Sequence, residues 1–278
     1  DDGHVDRWAH FVNAFIIDRN GHRISRRNAQ DIFVPVYNHQ IPPGAAQTVH
    51  YGFTLPESIT GPLTIDARLR YRKFDREFME FVSRDLKRPE LLEVELPIVD
   101  IARDTLQLPV AGSIGKPAEQ QVVTPTWERW NDYGIGLLLN GRAELKQAAA
   151  AFEEVRKFGK AAGAANLARV LINEGRLAEA IDVLDSLETN SDPSAPWWTV
   201  SWLKGTAGHR LGNLSDAEKC LRAVIEADDP KLRERGFDFS RDYVVVNQLG
   251  EVLFDQARAL RDSRLFEKRD HWLREAAE

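Results

Sequence analysis

The sequence contains little sulfur: Cys220 is its one cysteine and Met79 its one methionine. A single cysteine excludes an internal disulfide and any zinc site built from several cysteines. It also excludes covalent haem attachment through a C-x-x-C-H motif within these residues. Cys220 stands beside Leu221 on a predicted helix, which favours a small core residue over a reactive thiol.

Long apolar runs and an excess of basic residues are also missing. No apolar run approaches the ~18 residues that a membrane-spanning helix needs, so we expect no membrane span. The net charge of -6, from 37 basic and 43 acidic residues, argues against nucleic-acid binding. Nucleophile triads, phosphate loops and dinucleotide fingerprints are absent as motifs, so we expect no catalysis by these residues.

Residues 1–112 carry the signals of β structure. Strand-like segments occupy 11–17, 32–37, 49–55, 63–71 and 93–99, with glycine, proline and Asn-Gly turns between them. Leu63, Ile65 and Leu69 alternate with polar residues, which places one face of that strand on a core. Short strands in this arrangement predict an antiparallel β-sandwich.

Residues 113–125 are rich in polar residues, glycine and proline, and predict an exposed linker before a helical domain at 126–278. In that domain a glycine is followed by an alanine and then a large apolar residue, with a period of about 34 residues. The copies are Gly141, Ala148, Phe152; Gly175, Ala180, Leu184; and Gly212, Ala217, Leu221. We therefore predict an α+β multidomain chain, a β-sandwich followed by an all-α solenoid.

The helical part resembles the tetratricopeptide repeat (TPR). Trp130, Tyr133, Gly134 and Leu137 are similar to its first-helix signature, and Ala148 and Phe152 to its second-helix signature. This resemblance implies that first helices line a concave surface that holds partner segments. Ordinary solvation of each side chain is the alternative. The candidate residues are Asn131, Asp132, Asn166, Arg169, Asn173, Trp202, His209, Arg210, Asn247 and Glu251.

The whole chain resembles the C-terminal β-domain and repeat region of multihaem c-type cytochromes. The segments that carry this resemblance are 26–33, 37–44, 69–74 and 129–136. It implies haem c on an upstream segment or on a partner, and a periplasmic or extracellular location. Because the chain begins with Asp1 and ends within a helical pattern, we expect it to be a piece of a longer product.

Two small sets of residues are candidate sites in the β region. His39 and His50 flank a rigid proline turn and are candidate axial ligands for a haem or metal; the alternative is hydrogen-bonded sheet histidines. Arg68, Arg70, Arg72 and Lys73 form a predicted basic face for acidic groups such as haem propionates. Because acidic residues are close by in sequence, a solvated, ion-paired face is the alternative.

These observations favour a non-catalytic assembly module of an extracytoplasmic multihaem electron-transfer protein. Its expected partners are a multihaem cytochrome segment or further copies of the chain itself. A general peptide-binding scaffold unrelated to haem is one alternative. An accessory part of an enzyme whose active site lies outside this chain is the other.

Overall fold

The computed structural model describes residues 6–24, 28–59, 61–94, 96–110, 124–187, 192–260 and 266–277. The chain divides into two compact units. Unit 1 contains Asp1–Pro42 and Val49–Val123, and unit 2 contains Pro43–Thr48 and Thr124–Glu278. Residues 43–48 therefore fold with the helical part, although they lie within the predicted β domain. Most of the predicted linker, residues 113–123, lies outside the described residues.

Unit 1 contains two antiparallel β-ribbons of two strands each. Strand β1 (Ala14–Ile17) pairs with β2 (Val34–Asn38). Strand β3 (Leu63–Tyr71) pairs with β4 (Val99–Leu108). Between the last two strands lies helix α1 (Arg76–Asp85), which begins where the Asp75 carboxylate accepts a hydrogen bond from the Phe78 N–H at 2.8 Å.

The predicted β-sandwich is wrong. A sandwich buries the inner faces of two packed sheets, whereas the described residues of unit 1 form only the two separate ribbons. Only Ser83 is buried among those residues. The predicted strand at 49–55 pairs with no described strand. Alternation of apolar and polar residues identified extended segments, but it contained no information about which strands would pair.

Unit 2 is a stack of helices, and it holds most of the helical structure in the described chain. From α2 to α7 each helix packs against the next, α7 packs against α9 and α9 against α10, and α2, α4, α6 and α9 also contact one another in turn. No described helix is long and apolar enough to cross a membrane. The helices are α2 (Thr126–Asn140), α3 (Leu145–Lys157), α4 (Ala161–Glu174), α5 (Leu177–Asp185), α6 (Trp197–Leu211), α7 (Leu214–Ile225), α8 (Pro230–Glu234), α9 (Tyr243–Ala259) and α10 (Phe266–Ala277).

Small residues allow the two helices of a hairpin to approach closely. A Cβ atom at Gly134 of α2 would lie 2.6 Å from the Phe152 ring of α3. A Cβ atom at Gly205 of α6 would lie 2.8 Å from Leu221 of α7. The large apolar side chains are fully buried at these contacts, which makes them the centre of the helical core.

Residues 43–48 form a strap across α2. Thr48 Oγ1 donates to the Tyr133 carbonyl oxygen at 3.2 Å, and Asn140 Nδ2 donates to the Thr48 carbonyl oxygen at 3.1 Å. A Cβ atom at Gly136 would lie 2.6 Å from the Thr48 backbone nitrogen. The strap therefore depends on glycine at position 136.

The loop before α6 caps the N-terminus of α4. Asp192 Oδ2 accepts a hydrogen bond from the Ala161 N–H at 3.1 Å, and Ser194 Oγ accepts one from the Ala162 N–H at 3.1 Å. Burial acts to raise the pKa of Asp192, but hydrogen bonds from the backbone N–H groups of Ser194 and Ala161 lower it overall. The carboxylate satisfies donors that a helix leaves without partners in its first turn.

We expect Gly136→Ala to destabilise unit 2 by about 1–3 kcal/mol, because the new methyl group meets the strap backbone. Gly208→Ala is the matched control. Its Cβ atom would find its nearest atom at 3.6 Å, so the higher helix propensity of alanine should leave stability equal or raised. Urea unfolding followed by circular dichroism measures both, and equal destabilisation by the two changes would contradict the strap contact.

Replacement of Asp192 should change the pH dependence of stability. Because its folded-state pKa is lowered, the ionised carboxylate stabilises the fold above the unfolded-state pKa. That contribution disappears as the pH falls through the folded-state pKa. We expect Asp192→Ala to cost about 1–2 kcal/mol at pH 7 and progressively less below pH ~4. Urea titrations of both proteins across this range test the expectation, and a pH-independent difference would refute it.

Candidate binding face on the first helices

The ten residues predicted to bind a partner all lie on α2, α4, α6 and α9, the first helices of the hairpins. We call the surface of these four helices the first-helix face. Asn166, Arg169 and Asn173 follow each other at spacings of three and four residues, which places them along one side of α4. The structure divides the ten residues into two groups, according to whether they bond to a neighbouring helix.

Asn131, Asn166 and Arg210 hold neighbouring first helices together. Asn166 Nδ2 of α4 donates to Asn131 Oδ1 of α2 at 2.9 Å. Arg210 Nη1 of α6 donates to the Ile172 carbonyl oxygen near the end of α4 at 3.1 Å. Ile172 lies in the last turn of α4, where its carbonyl oxygen also accepts a hydrogen bond from the Gly175 N–H at 3.2 Å, so Arg210 is its second donor.

Trp202 and His209 connect α6 to α9. Trp202 Nε1 donates to Gln248 Oε1 at 2.5 Å, and His209 Nε2 lies 3.0 Å from Asp255 Oδ2. Trp202 and His209 are seven residues apart on α6, and their partners Gln248 and Asp255 are seven residues apart on α9, which is two turns on each helix. Sequence reasoning missed Gln248 and Asp255. Their matching spacing to Trp202 and His209 was the signal available.

The second group consists of Asp132, Arg169, Asn173, Asn247 and Glu251, which are exposed. Among the described residues, Arg169 has no hydrogen-bonding or ion-pairing partner. Its side chain retains contact with solvent, yet desolvation by the surrounding chain lowers the pKa of its guanidinium. A desolvated cation without an acidic neighbour is electrostatically unsatisfied and attracts an anion.

A shallow depression lies at the end of the first-helix face. Its volume is about 430 Å³, and it includes Asn173 from α4 and Arg210 from α6. Arg142, in the turn after α2, adds a second guanidinium. Glu174 is the acidic residue in the lining, and it pairs with Arg176 at 3.0 Å. The depression therefore offers cationic groups, an amide and an apolar floor of Leu145 and Ile172.

The structure places His39 against a histidine that the sequence analysis did not select. His39 Nδ1 lies 3.0 Å from His10 Nε2, and the two rings stack with centroids 4.8 Å apart. His50 is exposed. The described residues contain no group of three or more histidine, cysteine or acidic side chains arranged for a metal. A hydrogen bond at Nδ1 is compatible with ligation through Nε2, so the role of His39 and His50 as axial ligands stays a prediction.

Two of the four residues of the predicted basic face, Arg68 and Arg70, form ion pairs with acidic residues of β3 and β4. Hydrogen bonds from Arg68 and then Arg103 lower the pKa of Asp66 to about 2. Arg70 pairs with Asp100 of β4 at 3.1 Å. Arg72 is exposed, and the Lys73 ammonium lies 5.3 Å from the centre of the Phe74 ring. Arg68 and Arg70 therefore belong to an ion-paired sheet surface, the alternative given for this face.

We expect Gln248→Ala to destabilise unit 2 by about 1–2 kcal/mol, because it leaves the half-buried indole N–H of Trp202 without its acceptor. Asn247→Ala is the matched control on the same helix turn. The Asn247 side chain is exposed and makes no hydrogen bond in the described chain, so its removal should cost no more than ~0.5 kcal/mol. Urea unfolding of both variants measures the difference, and equal losses would contradict a role for Gln248 in joining α6 to α9.

Comparison with known proteins identifies no relative of this chain. No protein-family model matches the chain, and no curated protein or solved structure is significantly similar to it. The function must therefore be argued from the residues of the first-helix face.

Proposed function

We propose that unit 2 is a protein-interaction module whose first-helix face binds a carboxylate-bearing segment of a partner protein. The observation that carries this proposal is Arg169. It is exposed on the polar side of α4, its surroundings partly desolvate the guanidinium and lower its pKa, and it has no acidic partner in the described chain. A guanidinium in this state gains a bidentate ion pair from an incoming carboxylate.

The surroundings of Arg169 favour an extended segment over a small molecule. Asn173 lies one turn further along α4, and its amide offers both a donor and an acceptor to a peptide backbone. The depression beyond it is shallow and carries Arg142 and Arg210, so it suits a second acidic or amide group of the same segment. Asn131, Asn166, Trp202 and His209 keep the helices in register beneath this surface.

Such a module would serve to assemble a protein complex. The protein that supplies the bound segment is the subject of a second proposal. The resemblance to multihaem cytochromes favours an electron-transfer complex in the periplasm or outside the cell, with haem on another segment or partner. A general peptide-binding scaffold uses the same face without haem. Haem absorbance of the complete native assembly separates these two settings, because it is expected only in the first.

We expect Arg169→Ala to weaken binding of acidic peptides to the full chain about tenfold or more, since a charge-assisted hydrogen bond is lost. An array of short extended peptides, each paired with a version in which Asp and Glu are replaced by Asn and Gln, supplies the ligands. Fluorescence anisotropy then measures the affinity of the strongest acidic peptide for each variant.

Arg156→Ala is the control, because Arg156 lies on α3 in an ion pair with Glu153 and outside the first-helix face. It should leave the affinity unchanged. Increasing salt should weaken binding to the wild type more than to Arg169→Ala. The proposal fails if Arg169→Ala and Arg156→Ala bind alike, or if the peptides without carboxylates bind as well as the acidic ones.

A further inference from the structure

Residues 49–55 of unit 1, with the sequence Val-His-Tyr-Gly-Phe-Thr-Leu, are extended but pair with no strand in the described chain. Neither a turn nor a bend interrupts residues 45–56, and none of them belongs to a helix or strand. Trp8 makes edge-to-face contacts with both Tyr51 and Phe53, with ring centroids 5.9 Å and 6.4 Å apart. Side chains two positions apart share one side only when the backbone is extended.

Residues 51–55 of this segment have open backbone hydrogen-bonding groups. Within the described part of the chain, no hydrogen bond joins the N–H or C=O groups of residues 51–55 to any other residue. The alternate side chains are also uncovered, with Val49 38%, Tyr51 51%, Phe53 52% and Leu55 44% exposed. An extended segment with open backbone groups and an apolar row is a template for pairing with another strand.

The order of residues in the segment identifies the strand that fits it. The pattern is symmetric about Gly52: an aromatic residue lies on each side, then a polar residue, then an aliphatic one. If two copies pair antiparallel about a twofold axis at Gly52, every residue meets one of its own kind. The pairs are Val49 with Leu55, His50 with Thr54, Tyr51 with Phe53, and Gly52 with Gly52 of the second copy.

Charge and chain geometry agree with this register. Residues 49–55 contain no Asp, Glu, Lys or Arg, so a symmetric pair would oppose no like charges. Pro56 lacks a backbone N–H and would end the ladder on one side. Thr48 is held by Tyr133 and Asn140 of α2, which ends it on the other.

We propose that the chain forms a homodimer through antiparallel pairing of residues 49–55 with the same residues of a second copy. The pairing matches the open backbone donors and acceptors of residues 51–55 and places the Tyr51 and Phe53 rings in two equivalent cross-strand contacts. A seven-residue ladder is smaller than a standard protein interface, so the dimer is weak and its population rises with protein concentration. It does not depend on ligand binding at the first-helix face.

A charge exchange tests the register. Sedimentation velocity on the full chain over a range of concentrations gives the dimerisation constant. Tyr51→Lys with Phe53→Lys opposes two pairs of like charges and should weaken dimerisation by about tenfold or more. Tyr51→Lys with Phe53→Glu opposes two pairs of unlike charges and should restore much of the loss. A dimer that responds equally to both double variants would overturn the proposal, as would a monomer at every concentration.

Cross-linking tests the twofold position without disturbing the contacts of Trp8. In a Cys220→Ser background, Gly52→Cys places two thiols opposite each other, at a spacing that a disulfide spans. A Cβ atom at Gly52 meets no other atom within 4 Å, so the change should leave unit 1 intact. Thr54→Cys is the matched control, because residues 54 of the two copies would lie ~13 Å apart along the ladder.

We expect mild oxidation to link the Gly52→Cys variant into a dimer at least tenfold faster than the Thr54→Cys variant. Equal rates, or no dimer with Gly52→Cys, would overturn the proposed register even if the lysine variants fail to fold. Peptide binding at Arg169 is measured separately on the same variants. Loss of peptide binding would count against the proposed function of unit 2, and it would not change the interpretation of the dimer test.

Discussion

The helical unit depends on one packing constraint: the two helices of a hairpin approach so closely that only a small residue, glycine or alanine, fits where they touch. Phe152 and Leu221 are completely buried, each against a glycine on the preceding helix. In the middle hairpin, Ala168 and Leu184 occupy the corresponding positions and are also completely buried. Packing at this density tolerates little change in volume, so the hairpins stack with defined spacing.

That spacing determines which polar groups on the first helices meet. Where two first helices lie side by side, Asn166 reaches Asn131, and Trp202 reaches Gln248. These hydrogen bonds satisfy groups that are partly removed from water. Arg169 lies on the same helix as Asn166 but finds no acid, and it is therefore the group with most to gain from a partner.

Unit 1 depends less on burial of apolar side chains than the helical unit does. Its ribbons hold together through strand hydrogen bonds and ion pairs such as Arg70 with Asp100, while large apolar side chains on β3 and β4 remain half exposed. Isolated two-stranded ribbons are marginally stable in water. Pairing of residues 49–55 with a second strand would add backbone hydrogen bonds to unit 1 and cover some of the exposed apolar surface of that segment.

The sequence by itself determined the local elements of the fold. The glycine, alanine and large apolar pattern predicted helical hairpins after residue 126, and alternation predicted β3, because both patterns follow directly from helix and strand periodicity. It also placed the ten candidate residues on the first helices. Strand partners were decided only by the tertiary structure, since a strand is completed by residues distant in sequence, and this is why the sandwich prediction failed. The same reason separates Arg210, bonded to Ile172, from the unpaired Arg169, and assigns residues 43–48 to the helices that they contact.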